Sequence, residues 1–190
     1  MHRLIHLHHR IFGGIERHAA ALLPLLARAT FAAVLLGYFW ASARTKLGEG
    51  LFGFLMPSSG AYAQIFPKQF EAVGYDPSQL GLWHWAVTTA GTWAEFLLPL
   101  LIVIGLFTRL AALGMIGFVT VQSLTDLYGH GGIAHAETLG AWFDAAPDGL
   151  ILDQRLFWGV LLVILVLRGA GALSADRALT RLGGAHHGSA

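Results

Sequence analysis

The sequence predicts an all-α integral membrane protein: an antiparallel up-down four-helix bundle with an N-terminal amphipathic helix. Three observations predict this class. Of the 190 residues, 55% are hydrophobic and only 12% are charged. That charged share is about half of what a soluble domain carries. A chain this short cannot hide so much apolar surface inside itself, so the surplus must face lipid. The apolar residues also gather into four runs, each near the ~20 residues that a spanning helix needs. Finally, the valine and isoleucine in these runs show no period-two alternation, which argues against strands.

The elements follow in chain order. Residues 1–21 read as an amphipathic helix lying at the membrane interface, weakened at Gly13-Gly14. A four-helix transmembrane domain covers residues 22–182, with spans near 22–41, 82–107, 110–128 and 151–168. The first span is broken only by Pro24 and Arg28, and the second carries one carboxylate, Glu95. Ala41-Ser42-Ala43 has the spacing of a signal-peptide cleavage site. The apolar run before it is long for a signal core, so the segment is read as a retained span. Residues 42–81 form an outer loop rich in aromatics, including Phe52, Phe54, Tyr62, Phe66, Phe70 and Tyr75. A loop this long and apolar is expected to lie against the bilayer or cap the bundle. Asp76-Pro77-Ser78 reads as the helix start just before the second span. Gly169 and Gly171 end the fourth helix, Ser174 opens a short surface helix, and residues 183–190 read as a disordered tail.

Basic residues predict the orientation. Arg3, Arg10 and Arg17 precede the first span, Arg109 sits between the second and third, and Arg168, Arg177 and Arg181 follow the fourth. With four spans these groups share one side, the expected cytoplasmic face. The opposite side has Arg44, Lys46, Lys68 and Arg155, diluted by acids. Both termini are therefore expected inside. Lipid is the obligatory partner. The formal net charge of +1 points to no nucleic acid. The chain has no cysteine, which excludes disulfides, thiolate metal sites, iron–sulfur ligation and thiol redox chemistry. Any redox role must use a bound cofactor such as a quinone.

Glu95 is the most informative residue. An ionised carboxylate deep in a membrane must face the bundle, pair with a cation, or hold a proton. His84, Thr88, Gly91, Thr92 and Glu95 share one helical face, predicted to point into the bundle. The stripe serves either a proton-handling or ligand-binding carboxylate, or a structural link between helices. Arg28 is the predicted partner of Glu95, and together they form the candidate catalytic pair. Arg28 could instead extend to the inner headgroups. Trp93 beside Glu95 could shape an aromatic wall for a quinone, although a membrane-interface belt and packing account for most of the tryptophans.

A second polar cluster is expected at the outer end of the third span. Gln122 and Asp126 are four residues apart and share a face with Ser123 nearby. With His84, they are candidate quinone-binding residues. His130 and His135 follow, with Glu137 close by, as candidate metal ligands. Imidazole and carboxylate together form a legitimate metal set, but this spacing matches no closed metal motif. His2, His6 and His9 fall on one face of the N-terminal helix, better read as a weakly basic interfacial surface than as a metal trap. Gly105, Gly114 and Gly117 allow close helix approach and hence homo-oligomerisation, without specifying a dimer.

Three stretches resemble the DoxX family of small four-helix bacterial membrane proteins. The first is Arg28 with a helix ending in Ser42-Ala43-Arg44-Thr45-Lys46-Leu47. The second is Ala94-Glu95, then Leu97-Leu98-Pro99-Leu100-Leu101 and Gly105-Leu106-Phe107-Thr108-Arg109-Leu110-Ala111-Ala112-Leu113. The third is Arg168-Gly169-Ala170-Gly171-Ala172-Leu173-Ser174-Ala175-Asp176. The resemblance implies a bacterial inner-membrane bundle, an accessory or quinone-linked subunit of a membrane redox system with a membrane or periplasmic redox partner. The alternative is a non-catalytic membrane partner or scaffold in copper or oxidative-stress handling. A small transporter is the third reading, and it requires oligomerisation.

Overall fold

The computed structural model describes residues 2–185. Among them there is no strand, and four helices are long and apolar enough to cross a membrane: His18–Lys46, Leu82–Ile104, Thr108–Gly129 and Leu150–Arg168. Three sequence-predicted spans agree to within a few residues. The first runs five residues further than expected, to Lys46, and that extension matters for the site.

The chain opens on α1 (His2–Phe31), passes through a π turn (Ala32–Leu36) and continues as α2 (Gly37–Lys46). No break in the helix marks the expected boundary at Leu22, and the helix passes through Gly13-Gly14 uninterrupted. The π turn has a packing reason. Ala27, Phe31, Leu35, Phe39 and Ala43 are all buried at four-residue spacing. A regular α-helix drifts ~40° per four-residue step, so such a seam would wind off the core. The wider turn absorbs part of that drift and keeps Phe39 and Ala43 facing inward.

Two short helices, α3 (Ser59–Ile65) and α4 (Pro67–Ala72), fold the outer loop over the bundle end. They bury Tyr62 and Phe70, whose rings pack together, as the capping expectation requires. Burial raises the Tyr62 phenol above its ordinary pKa. Asp76 caps a 3-10 turn (Pro77–Gln79) and not the second span, which starts after Gly81. Hydrogen bonding from Ser78 holds the Asp76 carboxyl below its ordinary pKa.

The second span is α5 (Leu82–Ile104). Its predicted polar stripe does face inward: Thr88, Thr92 and Glu95 are buried. The third span is α6 (Thr108–Leu124) extended by a π turn (Thr125–Gly129). A one-turn α7 (Ala136–Leu139) lies in the second outer loop. The fourth span begins with a π turn (Leu150–Gln154) and continues as α8 (Arg155–Arg168). The chain then forms α9 (Ala175–Ala185), the expected surface helix. Residues 183–185, expected in the tail, continue this helix; residues 186–190, with His186 and His187, lie outside the described residues.

The spans close a ring of contacts: α1 and α2 on α5, α5 on α6, α6 on α8, and α8 back on α1. Phe31, Leu35, Phe39, Ile102, Met115, Leu162 and Leu165 form the apolar centre. The three glycines proposed for helix association do not make one lipid-facing stripe. Gly105 packs on Arg28 and Ser174, and Gly114 faces Leu98.

Candidate functional site in the bundle interior

Three buried cations, Arg28, Lys46 and Arg155, organise the interior, and the first two do not have the partners that the sequence alone gave them. Arg28 does not reach Glu95. Its Nε donates to the Ile102 carbonyl at 3.0 Å and its Nη2 to Val103 at 2.6 Å. Its Nη1 donates to Ala170 at 2.9 Å and also to Leu173. These carbonyls lie at the C-terminal end of α5 and just beyond α8, where helices leave acceptors unpaired and carry negative dipole charge. A guanidinium with five donors suits that surplus. The turn it grips is tight: Gly105 ends α5 in the left-handed region at φ 73°, with Leu106 N donating to Leu101 O at 3.0 Å. Asp176 completes the knot by accepting from Phe107 N at 2.7 Å and Thr108 N at 3.1 Å, capping α6. Arg28 therefore ties α1, α5 and the segment after α8 together, and the expected catalytic pair with Glu95 is not formed.

The cation that does meet Glu95 is Lys46. Its Nζ donates to Glu95 Oε1 at 3.0 Å, Oε2 at 2.9 Å, and Ser42 Oγ at 2.6 Å. Ser42 in turn donates to Glu95 Oε1 at 3.1 Å. Lys46 is 5% exposed and Glu95 2%. The sequence signal was present in the four-residue spacing of Ser42 and Lys46, which puts both on one helical face. Ending the first span at 41 placed Lys46 outside the membrane and hid it. Pro99 lies four residues after Glu95 within α5. Having no N–H, it leaves the Glu95 carbonyl without its helical donor.

A cavity of about 480 Å³ opens beside this cluster, between α2, α5 and α6. Its walls are mostly apolar, with Val87, Ala90, Leu98, Phe118 and Val121 among them. Gly117 also lines it, and a Cβ added there would meet open space. Ser42, Lys46 and Glu95 form one polar part of the wall; Gln122, Asp126 and His130 form another.

Asp126 is held by a second, part-buried ion pair. Arg155 Nη2 donates to Asp126 Oδ2 and Nη1 to Ser123 Oγ at 2.8 Å, with the guanidinium over the Trp158 ring. Asp126 lies in the π turn after α6, and Arg155 directly follows the π turn before α8. Irregular turns of this kind re-aim side chains and recur at functional sites. The sequence reading had assigned Arg155 to the outer surface. Gln122 donates from Nε2 to the Tyr38 hydroxyl at 3.2 Å, while its Oε1 is buried with no donor among the described residues.

The DoxX family model matches residues 23–125, just over half of the chain. The chain belongs to the DoxX family. No curated protein and no solved structure matches it. The match contains Arg28, Ser42, Lys46, Glu95 and Gln122 and stops one residue before Asp126, so α8 and the Arg168–Asp176 stretch lie beyond it.

In this DoxX protein the remaining candidates separate. Gln122 and Asp126 line the cavity; Trp93 and His84 do not. Trp93 turns outward, donating from Nε1 to the Phe54 carbonyl at 3.0 Å and packing edge-on to that ring. This holds the outer loop to α5. His84 packs against Phe66, 4.9 Å between ring centroids. His130 Nε2 meets the Gln64 carbonyl at 3.0 Å, and His135 faces Glu137 in the exposed outer loop. The expected metal site at His130 and His135 does not form: among the described residues no three histidine or acidic side chains converge on a metal-sized space. The His2 side chain lies outside the described residues.

Proposed function

We propose that this DoxX-family protein binds a neutral, mostly apolar molecule of the quinone class in the α2–α5–α6 cavity, as an accessory subunit of a membrane redox system. The cavity carries the reading. Its volume lies within the ordinary range for small-ligand sites, about 300–1,000 Å³, and its few polar groups against apolar walls are what fixes a ligand's orientation. A membrane-dissolved ligand reaches such a space laterally, without crossing water. The basic residues near the Arg28 end support a bacterial inner-membrane setting with that end in the cytoplasm. An electron-transfer partner in the membrane or periplasm completes the reading.

The test is extraction of purified protein for quinones, with Gly117→Leu as a cavity-filling variant and Gly159→Leu as its control. Gly159 also has open space at its Cβ position but lies outside the cavity. Near-stoichiometric quinone in the parent and in Gly159→Leu, lost in Gly117→Leu, is the expected result. Quinone-free parent protein, purified gently, sinks the reading.

A second reading has one observation in its favour. The Ser42–Lys46–Glu95 cluster satisfies its own donors internally, as a structural link between α2 and α5 would. On that reading the protein is a non-catalytic scaffold, and co-purification of a protein partner from quinone-free membranes is its mark.

A further inference from the structure

Resting on the quinone-class reading above, we infer that the cavity selects the hydroxyl-bearing, reduced head group over the carbonyl-only, oxidised one. The argument starts from charge. Each ion pair is internally neutral: Lys46 cancels Glu95, and Arg155 cancels Asp126. Neither offers a free charge to an ionic ligand, and an unpaired ligand charge in this setting is costly. The occupant is therefore neutral.

The balance of hydrogen-bonding groups then decides its chemistry. The strongest donors facing this space, the Lys46 ammonium and its Ser42 partner, are already committed. Lys46 Nζ donates to Ser42 and to both Glu95 oxygens, and the Ser42 hydroxyl donates to Glu95. Arg155 donates through its two Nη atoms to Ser123 and Asp126, and its Nε, without a partner among the described residues, is no part of the cavity wall, which Arg155 does not line. The acceptors are not committed. Gln122 gives one amide N–H to Tyr38, and its Oε1 has no donor among the described residues. Asp126 takes Arg155 on Oδ2, leaving Oδ1 with lone pairs to spare. His130 meets a carbonyl through Nε2, so Nε2 carries the proton and Nδ1 is a bare acceptor. These three residues follow one another at four-residue spacing, across the end of α6 and its π turn, and all three line the cavity. A buried acceptor left unmade is unfavourable, and a ligand hydroxyl supplies what it lacks. A quinone head brings acceptors only and leaves the wall unsatisfied; a hydroquinone head brings two O–H donors.

The test uses full-length protein in nanodiscs, titrated anaerobically with duroquinol and with duroquinone, bound ligand being counted over empty nanodiscs. Duroquinol should bind about tenfold tighter, the scale of one to two ordinary hydrogen bonds. That preference should fall toward parity in Gln122→Met and in His130→Ala. His130 is exposed, so its variant keeps the test interpretable if Gln122→Met fails to fold. Equal affinities, or tighter duroquinone, overturn the selectivity while leaving the cavity a quinone-class site. A preference unchanged in both variants overturns the assignment to this wall. No binding of either compound above empty nanodiscs overturns this inference together with the reading beneath it.

Discussion

Arg28 and Lys46 are both buried cations on one continuous helix, and the protein neutralises them in opposite ways. Arg28 is met by backbone carbonyls from two segments and by no carboxylate. Lys46 is met by a carboxylate and a serine hydroxyl. The difference follows from position. Arg28 lies where α5 ends and α8 has ended, so unpaired carbonyls supply negative partial charge without any ionisable group. Lys46 is the last residue of α2, but the one carbonyl its ammonium meets is that of Ser42, at 3.4 Å, so the Glu95 carboxylate at 2.9 Å supplies most of the neutralising charge. The first arrangement lines no part of the α2–α5–α6 cavity. The second sits at the edge of a cavity.

The largest expected effect breaks the Lys46 side of this comparison. Glu95→Gln strands a buried ammonium and should cost about 3–5 kcal/mol. The Lys46→Met, Glu95→Gln double variant should recover most of it, because both buried charges then vanish. Unfolding of reconstituted protein measures the cycle, and additive single effects would show that the pair is not coupled.

The Arg28 side comes next. Arg28→Met leaves several carbonyls at the bundle end without their donor, and water reaching that end offsets part of the loss. A destabilisation of about 2–4 kcal/mol is expected, with no rescue by Glu95→Gln, since the two do not touch. Rescue would restore the pairing read from sequence.

Asp176→Ala is the finest probe of the same end. It removes the cap of α6 and should cost about 1 kcal/mol. Amide hydrogen exchange at Phe107 and Thr108 should quicken while exchange around Glu95 stays unchanged. Equal quickening at Glu95 would join the two regions into one cooperative unit.

The contrast also shows which signals a sequence carries. Glu95, Thr88 and Thr92 were legible as an inward stripe because helical periodicity is local. Gln122 and Asp126 were legible as a polar cluster for the same reason. Trp93 was misjudged because residues two apart on a helix point about 200° apart; standing two before Glu95 in sequence set it on another face. His130 and His135 were grouped by closeness in sequence alone, and the folded loop gives each a different neighbour.

The sequence by itself determined the membrane setting, the four spans, the buried acid and the family resemblance. Each depends on composition or on spacing along one helix, and lipid imposes those constraints segment by segment. Only the tertiary structure decided which cation meets which anion. That choice depends on helix depth and facing, which a π turn in the first helix, two more beside Asp126 and Arg155, and a five-residue extension to Lys46 shift by amounts no local pattern announces. The cavity arises at the same level: α2, α5 and α6 must lie side by side before small residues such as Gly117 leave space between them.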